Sequence, residues 1–191
     1  MPPRPVVVVA GSGVSPHEQM IFATASLMRE AGYSEQEVAH ATGLRMHLNQ
    51  LWRERGSLDQ ARQLMREASS RTWYGLTYLG DPDQAGDETL EASFGWDLDI
   101  RPALSQLRVP VLLVYGQTDR WVPIEPSIAV WRAAVNQERA PLSVARLPGC
   151  GHFPTLPADP ADLHEAGPVS PLYERVLADW LTTVTAPPAR T

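Results

Sequence analysis

Two apolar runs without polar alternation limit the folds open to this chain. Residues 111–114 read VLLV, led in by Pro110 and stopped by Gly116, and residues 6–9 read VVVV, stopped by Gly11-Ser12-Gly13. A strand with one face in water alternates apolar and polar residues. A strand covered on both faces does not, and such strands belong to parallel sheets flanked by helices. A third run, residues 142–147, ends like the others in a glycine-bearing turn. The expected class is therefore α/β, with a short parallel sheet of about three strands and flanking helices. Asp119 follows the end of one strand and His152 the end of another, and open α/β sheets build their sites beyond the carboxyl ends of the strands.

With 191 residues, 43% hydrophobic and 20% charged, the chain can bury one good core. Its net charge of -6, with basic residues scattered rather than clustered, speaks against a nucleic-acid surface. Cys150 is the only cysteine, so no intrachain disulfide can form and nothing points to an oxidising compartment. The apolar residues 6–10 are too few for a signal-peptide core or a membrane span. The expectation is a cytoplasmic protein without a membrane partner.

After the first strand come three segments that each open on Ser-x-x-Glu/Gln, at Ser15, Ser34 and Ser57. This spacing lets the serine hydroxyl and the following acid or amide satisfy each other's backbone N–H groups at a helix start. Ile21, Ala25 and Met28 lie at helical spacing behind the first, Leu44, Leu48, Leu51 and Trp52 behind the second, and Leu58, Ala61, Met65 and Ala68 behind the third. Gly32 and Gly56 are the expected ends of the first two helices. Residues 80–95 read as a polar loop, and residues 96–110 as a lead-in to the second strand. A helix is expected from about Glu125 to Glu138, then an irregular proline-rich and acidic loop over 153–168. A last helix carries Leu172, Val176, Trp180 and Val184 on one face, before a frayed tail. The resulting division is 1–14 as first strand and turn, 15–95 as inserted helices, 96–185 as the C-terminal α/β core, and 186–191 as tail.

The combination of PVLLVYGQTDRWVP, with its Gly-x-x-Asp turn, and LPGCGHFP resembles the last two strands of an α/β-hydrolase. In that family these turns carry the acid and the histidine of a Ser-Asp-His triad, in the chain order nucleophile, acid, histidine. The resemblance implies Asp119 as the acid and His152 as the base. It implies a partial α/β-hydrolase fold in which the helices of 15–95 form a cap, and hydrolysis of an ester- or amide-type acyl substrate without a cofactor. Substrate contact would fall to Trp121 and Phe153, beside the acid and the histidine, and to Trp73 and Tyr74 of the cap. Cap aromatics at helical spacing equally serve as plain core, and an acid and a histidine on turns equally serve as surface and capping groups.

The nucleophile half of the family pattern is missing. No Gly-x-Ser-x-Gly occurs between residues 1 and 191, and Gly11-Ser12-Gly13 has the composition without the spacing. The chain by itself is therefore expected to be inactive, as a truncated hydrolase. The alternative is a non-catalytic binding or assembly subunit, pairing through the Val6–Val9 edge. In either case the expected partner is a second copy or a complementary N-terminal half. Cys150 reads as a small buried residue rather than a replacement nucleophile. Glu37-x-x-His40 has helical ligand spacing but no second copy, so no metal is expected, and His17, His40, His47 and His164 read as solvated or capping. Asp97 and Asp99 read as turn and capping residues.

Overall fold

The computed structural model describes residues 4–83, 97–159 and 162–186, and at 159 and 162–166 the backbone alone. The chain divides into two compact units, one made of the residues up to Val14 and from Ile100 onward, the other of Ser15–Asp99.

The first unit is built on a parallel sheet in the order β1 (Val6–Val9), β2 (Val111–Gly116), β3 (Leu142–Leu147). Val6 aligns with Val111 and Val9 with Val114, while β2 and β3 run in register from Val111 and Leu142 to Gly116 and Leu147. Every residue of β2 is buried, as its unbroken apolar run requires. On one face Val111, Leu113 and Tyr115 pack with Ile128 and Trp131 of helix α5 (Ile124–Ala134) and with Leu104 of the short helix α4 (Arg101–Leu104). On the other, Leu112 and Val114 pack with Leu147 and with Trp180 of helix α6 (Pro171–Thr185). Helices thus cover both faces, and the result is the expected α/β architecture with a short three-stranded sheet.

β1 lies at the edge of this sheet rather than inside it, with Val6 and Val9 36% and 38% exposed. The N–H groups of Val6 and Ala10 donate to the carbonyls of Pro110 and Val114, each at 2.9 Å. Backbone groups alternate sides along a strand. Val7 and Val9 therefore turn their N–H groups outward, where no strand among the described residues meets them.

Two expectations for this unit need correction. Residues 153–168 are not an irregular loop: β4 (Thr155–Asp159) and β5 (Asp162–Val169) form an antiparallel pair. Its register shifts around Pro157, where proline has no N–H for the ladder. Helix α5 stops at Ala134 rather than near Glu138, because Val135 is already extended and Asn136 opens a turn that closes onto Arg139 and Ala140.

The second unit holds α1 (Pro16–Glu30), α2 (Glu35–Arg53), α3 (Leu58–Ser69) and a 3-10 turn over Tyr74–Thr77. Reciprocal capping boxes close at Ser15 with Glu18 and at Ser34 with Glu37, and Ser57 accepts from the Gln60 N–H. Met28, Val38, Ala41 and Trp73 form one buried cluster, and Leu48, Trp52, Ala61 and Met65 another. At the end of α2 it is Arg55, not Gly56, that takes the left-handed conformation, with φ 50°. Gly56 instead donates its N–H to the Leu51 carbonyl at 2.8 Å. Most of the polar loop expected at 80–95, and residues 187–191 of the tail, lie outside the described residues. Among the described residues no helix is long and apolar enough to cross a membrane.

Candidate active site

Asp119 and His152 stand on two turns that leave neighbouring strands. β2 ends at Gly116, whose carbonyl accepts the Asp119 N–H at 3.3 Å in a tight turn. β3 ends at Leu147, and Gly149 takes a positive φ of 73°, a conformation that suits a residue without Cβ. The chain thereby doubles back towards β2. Gly116 makes the close approach possible: a Cβ there would lie 2.0 Å from the Gly151 carbonyl oxygen and 2.4 Å from that of Cys150.

The carboxylate of Asp119 is held from two sides. Its Oδ1 accepts the backbone N–H groups of Trp121 at 2.7 Å and Val122 at 3.1 Å. Its Oδ2 lies 3.1 Å from Nδ1 of His152. A carboxylate has only acceptors to offer, so in this pair Nδ1 carries the proton and donates it. Nε2 of the neutral ring is then left with its lone pair. The Asp119 side chain is fully buried while that of His152 is 32% exposed. The acid end of the pair is thus shielded and the imidazole end reachable.

Two aromatic residues flank the imidazole. The Trp121 ring centroid is 6.5 Å away and tilted, and that of Phe153 is 5.3 Å away and edge-on. Phe153 is itself 65% exposed. Trp73 and Tyr74 belong to the helical unit. Trp73 is buried in the cluster with Met28, Val38 and Ala41, and the Tyr74 hydroxyl donates to the Gly80 carbonyl at 2.9 Å.

Beneath the acid, Tyr115 is buried and donates its hydroxyl to the Gly11 carbonyl at 2.7 Å, tying the turn after β1 to the end of β2. Burial, and secondarily the charge of Asp119, push its phenol up to about 12. Cys150 is buried against the α6 face of the sheet. Among the described residues no group of three or more His, Cys, Asp and Glu side chains is arranged to hold a metal.

The helical unit contains a polar group in which sequence reasoning did not single out Arg45, Asn49 and Arg53. Arg45 and Asn49 are buried on α2, and Arg53 makes a two-pronged ion pair with Asp97. The Arg45 guanidinium donates to the Thr77 carbonyl, and burial lowers its pKa to about 10. His17 belongs to the same group and is half-buried rather than solvated. Burial lowers its pKa, against the opposing charge of Asp97. Arg53 holds Asp97 below the usual carboxylate range, chiefly through its hydrogen bond. Spacing was the available signal: Ala41, Arg45, Leu48, Asn49 and Trp52 lie on one helical face.

No family model matches the chain, and no curated protein matches it. Among solved structures, an esterase from Rhodococcus sp. ECU1013 is similar over 95% of this chain and 56% of that one, at 17% identity and a TM-score of 0.33. The chain thus spans little more than half the length of that esterase. Independently of any relative, the geometry is that of an imidazole held by a carboxylate beyond the carboxyl ends of a three-stranded parallel sheet.

Proposed function

We propose that residues 1–191 supply the acid and the base of a serine-hydrolase triad acting on an ester- or amide-type acyl substrate, and that the serine lies outside them. The observation that carries this reading is the 3.1 Å contact between Asp119 Oδ2 and His152 Nδ1, made by a carboxylate whose other oxygen is already held by two backbone N–H groups. That arrangement fixes one tautomer and leaves Nε2 as the base. Nε2 takes the serine proton as Oγ bonds to the substrate carbonyl carbon, and Asp119 stabilises the imidazolium so formed. The imidazolium then protonates the leaving alcohol or amine as its bond to carbon breaks. In the second half His152 takes a proton from water, whose oxygen attacks the acyl-serine, and returns it to the departing serine. The net change is addition of water across the acyl bond. Trp121 and Phe153 are the side chains of this unit best placed to contact an apolar substrate group, and the helical unit is the candidate cap.

A second reading has its own observation. The outward-facing edge of β1, with Val6 and Val9 partly exposed, suits an assembly subunit that receives a strand from a second copy or from a complementary half. The two readings are compatible where that half carries the serine.

The test is the tautomer of His152. Ring 15N shifts of the histidine-labelled chain at neutral pH should report the Nδ1–H form in the wild type. In Asp119→Asn the amide N–H group faces the ring, and the Nε2–H form should replace it. A wild-type ring in the Nε2–H form, or an Asp119→Asn ring indistinguishable from wild type, sinks the reading.

A further inference from the structure

Asp119 can hold His152 in one tautomer only while two separate turns keep their register, one leaving β2 and the other β3. Their backbones meet at the carbonyl of Cys150. That oxygen accepts two hydrogen bonds from one residue: the Thr118 N–H at 3.1 Å and the Thr118 hydroxyl at 2.9 Å. Thr118 immediately precedes the acid, and Cys150 comes two residues before the histidine.

We propose that Thr118 is a positioning residue for His152, its hydroxyl fixing the turn of 148–152 at the distance where Nδ1 meets Asp119 Oδ2. This deepens the reading of Asp119 and His152 as an acid–base pair and rests on it. Thr118 is exposed as a residue while its hydroxyl bond to Cys150 is partly buried, so its side chain adds little to the core. What the hydroxyl does here is join the acid turn to the histidine turn. The Gln117 N–H also joins the two segments, donating to the Leu147 carbonyl at 3.0 Å. It lies at the strand end, further from His152 along the chain. Without the Thr118 hydroxyl the turn retains only one of its two bonds at Cys150, and the imidazole gains freedom relative to a carboxylate that cannot follow it, since Trp121 and Val122 hold Oδ1.

The experiment compares the full chain as wild type, Thr118→Val, Thr118→Ala, Thr118→Ser and Asp119→Asn, with the His152 tautomer ratio read from ring 15N shifts. Thr118→Val and Thr118→Ala should each lower the ratio of Nδ1–H to Nε2–H by roughly 2- to 10-fold, the equivalent of one neutral hydrogen bond. Thr118→Ser, which keeps the hydroxyl, should stay at the wild-type ratio. A purely structural role would lower the unfolding midpoint and leave the ratio alone. Wild-type ratios in both Thr118→Val and Thr118→Ala, with Asp119→Asn shifted, overturn the role of Thr118 and leave the acid–base pair standing. A shift in Thr118→Ser as large as in Thr118→Ala also overturns it, because the hydroxyl would then not be the cause. An unshifted Asp119→Asn points instead to failure of the pair itself. Thr118→Ala adds no bulk, so it decides the matter should Thr118→Val fold poorly.

Discussion

Replacing Gly116 with alanine tests the contact that brings the acid and histidine turns together. The new Cβ would sit 2.0 Å from the Gly151 carbonyl oxygen, 2.4 Å from the Cys150 oxygen and 2.6 Å from the Cys150 carbonyl carbon. All three are backbone atoms, so no side chain can swing aside. Real Cβ atoms essentially never come within 3.0 Å of such a neighbour, and the 150–151 segment must therefore retreat by roughly 1 Å. His152 is the next residue, and its Nδ1 begins 3.1 Å from Asp119 Oδ2. A retreat of about 1 Å takes the pair beyond hydrogen-bond range, roughly 3.5 Å. Overpacking costs about 1–3 kcal/mol, and weakening the Thr118 bonds to Cys150 adds on the order of 1 kcal/mol. Gly116→Ala should therefore lose roughly 2–4 kcal/mol in urea unfolding, and its His152 ring should show a mixed tautomer. A variant within about 0.5 kcal/mol of wild type, the range of an inconsequential surface change, and with an unshifted tautomer would refute the close approach.

Other expectations follow from particular residues. Tyr115 has a folded-state pKa of about 12 against an ordinary 10, so between those values the folded chain binds more protons at this phenol than the unfolded one. The share of stability supplied by Tyr115 should therefore shrink as pH rises from 10 to 12, against the opposite trend of buried Arg45, so the margin of wild type over Tyr115→Phe, about 1 kcal/mol at neutral pH with the bond to Gly11, should decline over that range; urea midpoints of both chains on either side of pH 10 check this. In β1, Val7→Pro removes an outward N–H, whereas Val8→Pro removes one that faces β2. Val8→Pro should be the costlier by at least about 1 kcal/mol, and equal costs in urea unfolding would mean that the outer edge is paired. Ser34→Ala removes a capping box at the start of α2 and should cost about 1 kcal/mol, read from the same unfolding curves.

What was legible in the sequence was whatever one local pattern dictates. The unbroken run of β2 marks a strand with no wet face, and all of its residues are buried. The Ser-x-x-Glu spacings at Ser15 and Ser34 close as reciprocal caps because both partners lie within four residues. Asp119 and His152 could be placed beyond strand ends because Gly116 and Gly149 mark the turns. Patterns that depend on distant partners were not legible. The β4–β5 pair is hidden by prolines that argue locally for a loop, and its hydrogen bonds come only from the partner strand. Arg45 and Asn49 break the hydrophobic pattern of α2 yet are buried, and for Arg45 a partner is the Thr77 carbonyl, distant in sequence. The contact between Thr118 and Cys150 likewise joins turns that only the parallel alignment of β2 and β3 brings together.

The central claim is that residues 1–191 hold the acid and base of a triad but not its nucleophile. It is tested most directly by exposing the purified, folded chain to a fluorophosphonate label and p-nitrophenyl acetate, with His152→Ala as control. The account predicts no labelled serine and no turnover that depends on His152. Labelling of a serine within these residues, abolished by His152→Ala, would contradict it and show that the nucleophile is already present.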